Sequence, residues 1–175
     1  RGFDVLDLTK NSNFEECCFL LLHDHLPNKI EFNEFTTKLK EARAIPEQMQ
    51  KNMKNWRKNA HPMDVLQAFV AALAGYYDEQ GSEKEISQQR AINLISKVPT
   101  IIASWERVRN DKEPIQPDPE LSHASNFLYM LTGNKPDKEM ERVFDVCLIL
   151  HADHTFNAST FAAREVASTR AHMYS

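Results

Sequence analysis

The chain has 175 residues, 42% of them hydrophobic and 26% charged, which is enough apolar material for one core and an ordinary soluble surface. Its net charge of −4 gives no electrostatic footing for nucleic acid. No apolar run reaches the ~18 residues of a membrane span, and nothing at the start reads as a signal peptide.

Three cysteines, two of them adjacent (Cys17 and Cys18), do not make a disulfide framework, so a reducing, cytoplasmic setting is expected. Only four glycines in this length argue for long helices with tight joints. The chain opens on Arg1 and ends on Met173-Tyr174-Ser175 without a polar tail. Both ends therefore read as cut from something longer.

Residues 1–10 read as a surface loop leading to a helix. Ser12-Asn13-Phe14-Glu15 reads as a capping box, with Ser12 the cap, opening a helix from Phe14 to about His25 that Pro27 stops. Cys17 and Cys18 fall on or beside its apolar stripe and are expected as buried thiols. His23 and His25 fit a helix C-terminus better than a metal site. A second helix is expected over Glu31 to Arg43, and a third from Pro46 to about Asn59, with Met49, Met53 and Trp56 on one face. Lys51, Lys54, Arg57 and Lys58 are expected on a solvated face.

His61-Pro62-Met63 opens a helix that is apolar nearly all round through Ala74, which predicts a buried central element. Lys84 to Lys97 predicts another helix, with Ala91, Leu94 and Ile95 facing in, which Pro99 either kinks or divides from a helix reaching Arg109. Pro114, Pro117 and Pro119 make residues 110–121 the clearest loop. Ser122 to Leu131 predicts a helix closed by Gly133, and Lys135-Pro136-Asp137 a turn before a helix from Lys138 to His151. No strand pattern or repeat interrupts this sequence of eight or nine helices, so the fold class is all-α.

The richest stretch is His151 to Ser168. Two histidines and Asp153 fall within four positions behind the apolar run Val143 to Leu150, and Asn157, Ser159 and Thr160 are side chains that cap the start of a helix. A helix N-terminus favours an anion, so a carboxylate or phosphate site is expected here. His151 reads as a buried structural histidine. A metal at His151, Asp153 and His154 lacks a third ligand at a known spacing, and a Ser159 hydrolase triad lacks its Gly-x-Ser-x-Gly elbow.

Leu150-His151-Ala152-Asp153-His154 with Asn157-Ala158-Ser159-Thr160-Phe161 resembles the citrate synthase family. Arg1-Gly2-Phe3, His61-Pro62-Met63-Asp64-Val65-Leu66 and Asn126 to Gly133 resemble further landmarks of it, in the same order. The resemblance covers essentially the whole chain. It implies that residues 1–175 are part, the N-terminal part, of the large helical domain of such a subunit, with the small domain absent from this chain. It implies that His154 binds oxaloacetate, that Asn157 lines the same pocket, and that Ser159 hydrogen-bonds a catalytic histidine. The implied reaction is a condensation of acetyl-CoA with oxaloacetate to citrate, the entry to the tricarboxylic acid cycle, with no tightly bound cofactor and no metal. A homodimer, or an oligomer of dimers, goes with it.

The family's Gly-Pro-Leu-His-Gly-Gly type stretch and its aspartate base do not occur in these 175 residues. The chain alone is therefore expected to be inactive, with its catalytic residues lying downstream. Relatives using propionyl-CoA (2-methylcitrate synthase), citryl-CoA cleaving relatives, and a non-catalytic helical scaffold remain as alternatives.

Overall fold

The computed structural model describes residues 2–77, 81–152, 158–169, 171 and 173–174. Among them it is all-α: α1 (Val5–Asn11), α2 (Phe14–His23), α3 (Lys29–Glu41), α4 (Glu47–Met53), α5 (Pro62–Ala72) followed by a 3-10 turn (Leu73–Gly75), α6 (Glu83–Arg109), α7 (His123–Thr132), α8 (Lys138–Ala152) and α9 (Ala158–Ser168). The helices form a closed circuit. The long α6 packs against α3, α4, α5 and α7; α7 leads on to α8; α8 carries α1 and α2; and α2 returns to α3.

Several helices start where a side chain can take an orphan N–H. Asn28 and Ser82 sit in complete capping boxes with Glu31 and Glu85. His61 caps α5, its Nδ1 accepting from the Met63 N–H at 3.3 Å. Gly133 ends α7 with φ 90°, a left-handed position that costs glycine nothing.

Several expectations shift. Residues 5–11 are helical, because Asp4 accepts from the Leu6 N–H at 2.7 Å. The capping box of α2 lies one residue later than expected, on Asn13 and Glu16, and Glu15 is buried instead. Second-helix bounds move to Lys29–Glu41, and α4 stops at Met53, which leaves Trp56 39% exposed. Pro99 neither divides nor ends α6, which runs 27 residues through it. Contrary to expectation, α5 buries one face only, on Val65 and Phe69, while Met63 is 61% exposed.

Met49, Met53, Val65, Phe69, Ile101 and Trp105 form the larger apolar cluster, and Cys18, Phe19, Phe35, Leu39 and Ile92 the smaller. The face of α6 between them is polar. Thr100 Oγ1 donates to the Arg43 carbonyl at 2.8 Å. The Lys97 ammonium donates to the Ala42 carbonyl and to Asn93 Oδ1, and lies over the Tyr77 ring. Asn93 Nδ2 donates to the Tyr174 hydroxyl at 3.2 Å. Thr100 and Lys97 fix the α3–α4 joint by taking the Arg43 and Ala42 carbonyls, which lie beyond the end of α3. Arg43, 2% exposed, then reaches out of that joint and donates from Nη1 to the Asp118 and Leu121 carbonyls, each at 2.9 Å. The proline-rich loop is thereby held to the core.

Replacing that guanidinium leaves two half-buried carbonyls without their donor. Arg43→Met is expected to lose about 3 kcal/mol in urea unfolding, and an unchanged midpoint would show that the loop needs no such anchor.

Candidate functional site

The stretch singled out in the sequence begins on α8. Ile149 is buried and Ala152 half-buried, and both line a small cavity of about 60 Å³ with Phe3, Leu8, Cys17, Leu20 and Leu21. His151 points away from it. It is exposed rather than buried, because it lies two positions beyond Ile149 and so faces away from α2. Its Nδ1 sits 2.7 Å from the Cys147 carbonyl. A carbonyl only accepts, so Nδ1 carries a hydrogen. His154 and Asn157, together with Asp153, lie outside the described residues. Ser159 lies on the first turn of α9, exposed, and no described residue of α9 is buried.

The body of the protein fixes the axial and rotational setting of α8 through a polar clasp that the sequence did not reveal. Arg142 donates to the Thr9 and Ser12 carbonyls and to Asp145 Oδ2. Asp145 Oδ1 accepts from the Phe14 N–H at 2.9 Å. Alongside, buried Glu15 accepts from the His123 N–H at 2.7 Å. Burial raises both carboxyl groups, and the N–H donors and Arg142 pull back against it. Burial, with the Arg43 charge behind it, pushes the His123 imidazole down to about 4. The one sequence signal for this clasp was the i, i+3 pairing of Arg142 with Asp145.

Elsewhere the surface offers a groove of about 540 Å³ between α5, α6 and α7, lined by Met63, Leu66, Ile102, Trp105, Phe127 and Leu131. Neither α8 nor α9 lines it. The basic run is solvated as expected, with Lys54 on Glu113, Lys58 on Asp111 and Lys51 on Glu47. Among the described residues no group of three His, Cys, Asp or Glu side chains could hold a metal ion, and no helix is long and apolar enough to cross a membrane.

A family model described as citrate synthase, C-terminal domain, matches residues 1–175. The citrate synthase of Synechocystis is 41% identical over 175 residues, which is 99% of this chain and 44% of the relative. The 2-methylcitrate synthase of Shewanella oneidensis is 36% identical over 100% of this chain and 46% of the relative. Among solved structures, the citrate synthase from Pyrobaculum aerophilum has a TM-score of 0.91 at 37% identity, over 99% of this chain and 46% of that one. The Thermotoga maritima citrate synthase has a TM-score of 0.86 at 36% identity. The chain spans about half the length of the curated relatives it matches.

His123 makes the protein acid-sensitive in a defined window. Its pKa is depressed from 6.5 to about 4, so the unfolded chain takes up a proton that the folded chain refuses. The imidazole's contribution to stability is expected to fall as pH drops from 6.5 toward 4. The raised carboxyls of Glu15 and Asp145 act in the opposite sense. Urea midpoints of His123→Phe against the parent isolate the imidazole: the variant should lose less stability across that window, and parallel profiles would contradict it.

Proposed function

Because the chain belongs to the citrate synthase family, we propose that it supplies part of the oxaloacetate pocket of an enzyme that condenses acetyl-CoA with oxaloacetate to citrate and CoA. The observation that carries this reading is the run Leu150 to Phe161 at the α8–α9 joint, in a chain that the family model matches from end to end. His154 donates a hydrogen bond to the keto-carboxylate, and Asn157 lines the same pocket. Ser159, on the first turn of α9, orients a catalytic histidine supplied from beyond these residues. The α9 N-terminus adds its positive dipole end beside a dianionic substrate.

The reaction needs a carboxylate base to take a proton from the acetyl methyl group and donors to hold the enolate and the ketone oxygen. His154 is the ketone-side donor in this scheme. The base and the enolate-side histidine are not among the 175 residues, so the chain alone does not turn over. The reading includes no tightly bound cofactor, a cytoplasmic setting and a homodimer or an oligomer of dimers. A propionyl-CoA-using enzyme is the second reading, favoured by the 36% identity to a 2-methylcitrate synthase.

The test is a chimera in which this chain replaces the matched 44% of the Synechocystis enzyme. Release of CoA thiol is expected from the chimera with oxaloacetate and acetyl-CoA, and none from the 175-residue chain alone. Faster turnover with propionyl-CoA would favour the second reading. A folded chimera inert with both thioesters would leave the scaffold alternative standing.

A further inference from the structure

A hollow of about 880 Å³ lies between α3 and the first half of α6, with Lys38 and Glu41 on one side and Glu85 and Gln89 on the other. Lys97 also lines it and is 3% exposed. Among the described residues this buried amine makes no ion pair. Its Nζ donates to two neutral acceptors, the Ala42 carbonyl and Asn93 Oδ1, the latter at 3.2 Å, and stands 5.0 Å from the centre of the Tyr77 ring. Two acceptors take two of the three ammonium hydrogens, and the third position of the nitrogen is left to the hollow.

A buried ammonium without a carboxylate gives up its proton more readily than one in water. The titratable groups around it are Lys38 and Glu41 from α3, Glu85 on its own helix, Tyr77, and Tyr174 by way of Asn93. Burial brings Lys97 down from 10.5 to about 8. At pH 8 about half of this amine is neutral, against about one part in 250 for a lysine in water, and the neutral amine is the nucleophile. The surroundings also select the reagent. An amide nitrogen keeps one hydrogen with which to hold the Ala42 carbonyl, whereas a neutral imine keeps none and leaves that carbonyl without its donor.

We propose that Lys97 is an acylation site, whose amine takes an acetyl group from an activated donor, a thioester or an acyl phosphate, that enters the hollow between α3 and α6. The nitrogen lone pair attacks the donor carbonyl and a C–N bond forms. The C–S or C–O bond then breaks, and the amine proton leaves with the thiolate or the phosphate. The product has one N–H in place of three and no charge. It cannot hold Ala42 and Asn93 together, so acetylation loosens the α3–α4 joint. The modification needs no turnover and holds whatever reaction the complete subunit catalyses.

The test incubates the native chain at pH 8 with acetyl phosphate in one arm and acetyl-CoA in the other, and follows the tryptic peptides by mass. Lys97 should be acetylated about tenfold or more faster than the exposed Lys51, and the faster donor identifies the source. Its rate should level off above about pH 9, while that of Lys51 keeps climbing toward ~10. In concentrated urea the preference should vanish, because the hollow is gone. Gln89→Trp, at an exposed position on the wall of the hollow, should keep its circular dichroism and slow the acetylation of Lys97. The singly acetylated chain should unfold at a lower urea midpoint than the parent. A native Lys97 that reacts no faster than Lys51 with either donor, a preference that survives in urea, or a rate that still climbs above pH 9 would each overturn the assignment. So would a folded Gln89→Trp chain with an undiminished rate, and an unchanged midpoint would overturn the loosening. Should Gln89→Trp unfold, the pH profile of the parent decides.

Discussion

The structure depends on the polar face of α6. Asn93, Lys97 and Thr100 recur at positions i, i+4 and i+7; Lys97 and Thr100 donate to the carbonyls of the α3–α4 joint, and Asn93 Nδ2 donates to the Tyr174 hydroxyl. The Ala42 and Arg43 carbonyls are tied down, and Arg43 passes the constraint on to Asp118 and Leu121. An apolar stripe in the same place would bury α6 as well, but it would leave the α3–α4 joint unsatisfied and the proline-rich loop unanchored. For that reason α6 can run 27 residues through Pro99: the helix loses one internal bond at the proline and is held along its length by neighbours on four sides.

A second set of polar contacts carries this order to the end of α8. Arg142 and Asp145 grip the carbonyls and N–H at the α1–α2 joint, and Glu15 grips the start of α7. Asp145, Ile149 and Ala152 then lie along one side of α8, which sets its rotation. His151 follows from that rotation as an exposed side chain. The proposed oxaloacetate ligand, His154, comes two residues after Ala152.

Helices were legible in the sequence wherever apolar period and caps agreed: Ser122 with Gly133 for α7, Asp137 before α8, and His61 before α5. Burial was not. The polar face of α6 reads as surface, because a period of 3.6 scores Asn93, Lys97 and Thr100 as solvent-facing. Only the chain partners 55 to 81 residues away reverse that. The same limit made α5 look central when it is half open. Ser12 and Asn13 are both good caps, and the choice between them turned on Glu16 reaching back while Glu15 was claimed by the His123 N–H. The motif from Leu150 to Phe161 was plain, while the Arg142–Asp145 clasp on α8 gave almost no signal.

The most direct test is the dependence of the Synechocystis chimera on its two neighbouring histidines, read as kcat/KM for oxaloacetate. His154→Gln is expected to lower it by about a hundredfold or more, while His151→Gln, on the exposed side of α8, leaves it within about threefold. Equal losses in both variants, or an unaffected His154 variant, would contradict the assignment of the pocket to this joint.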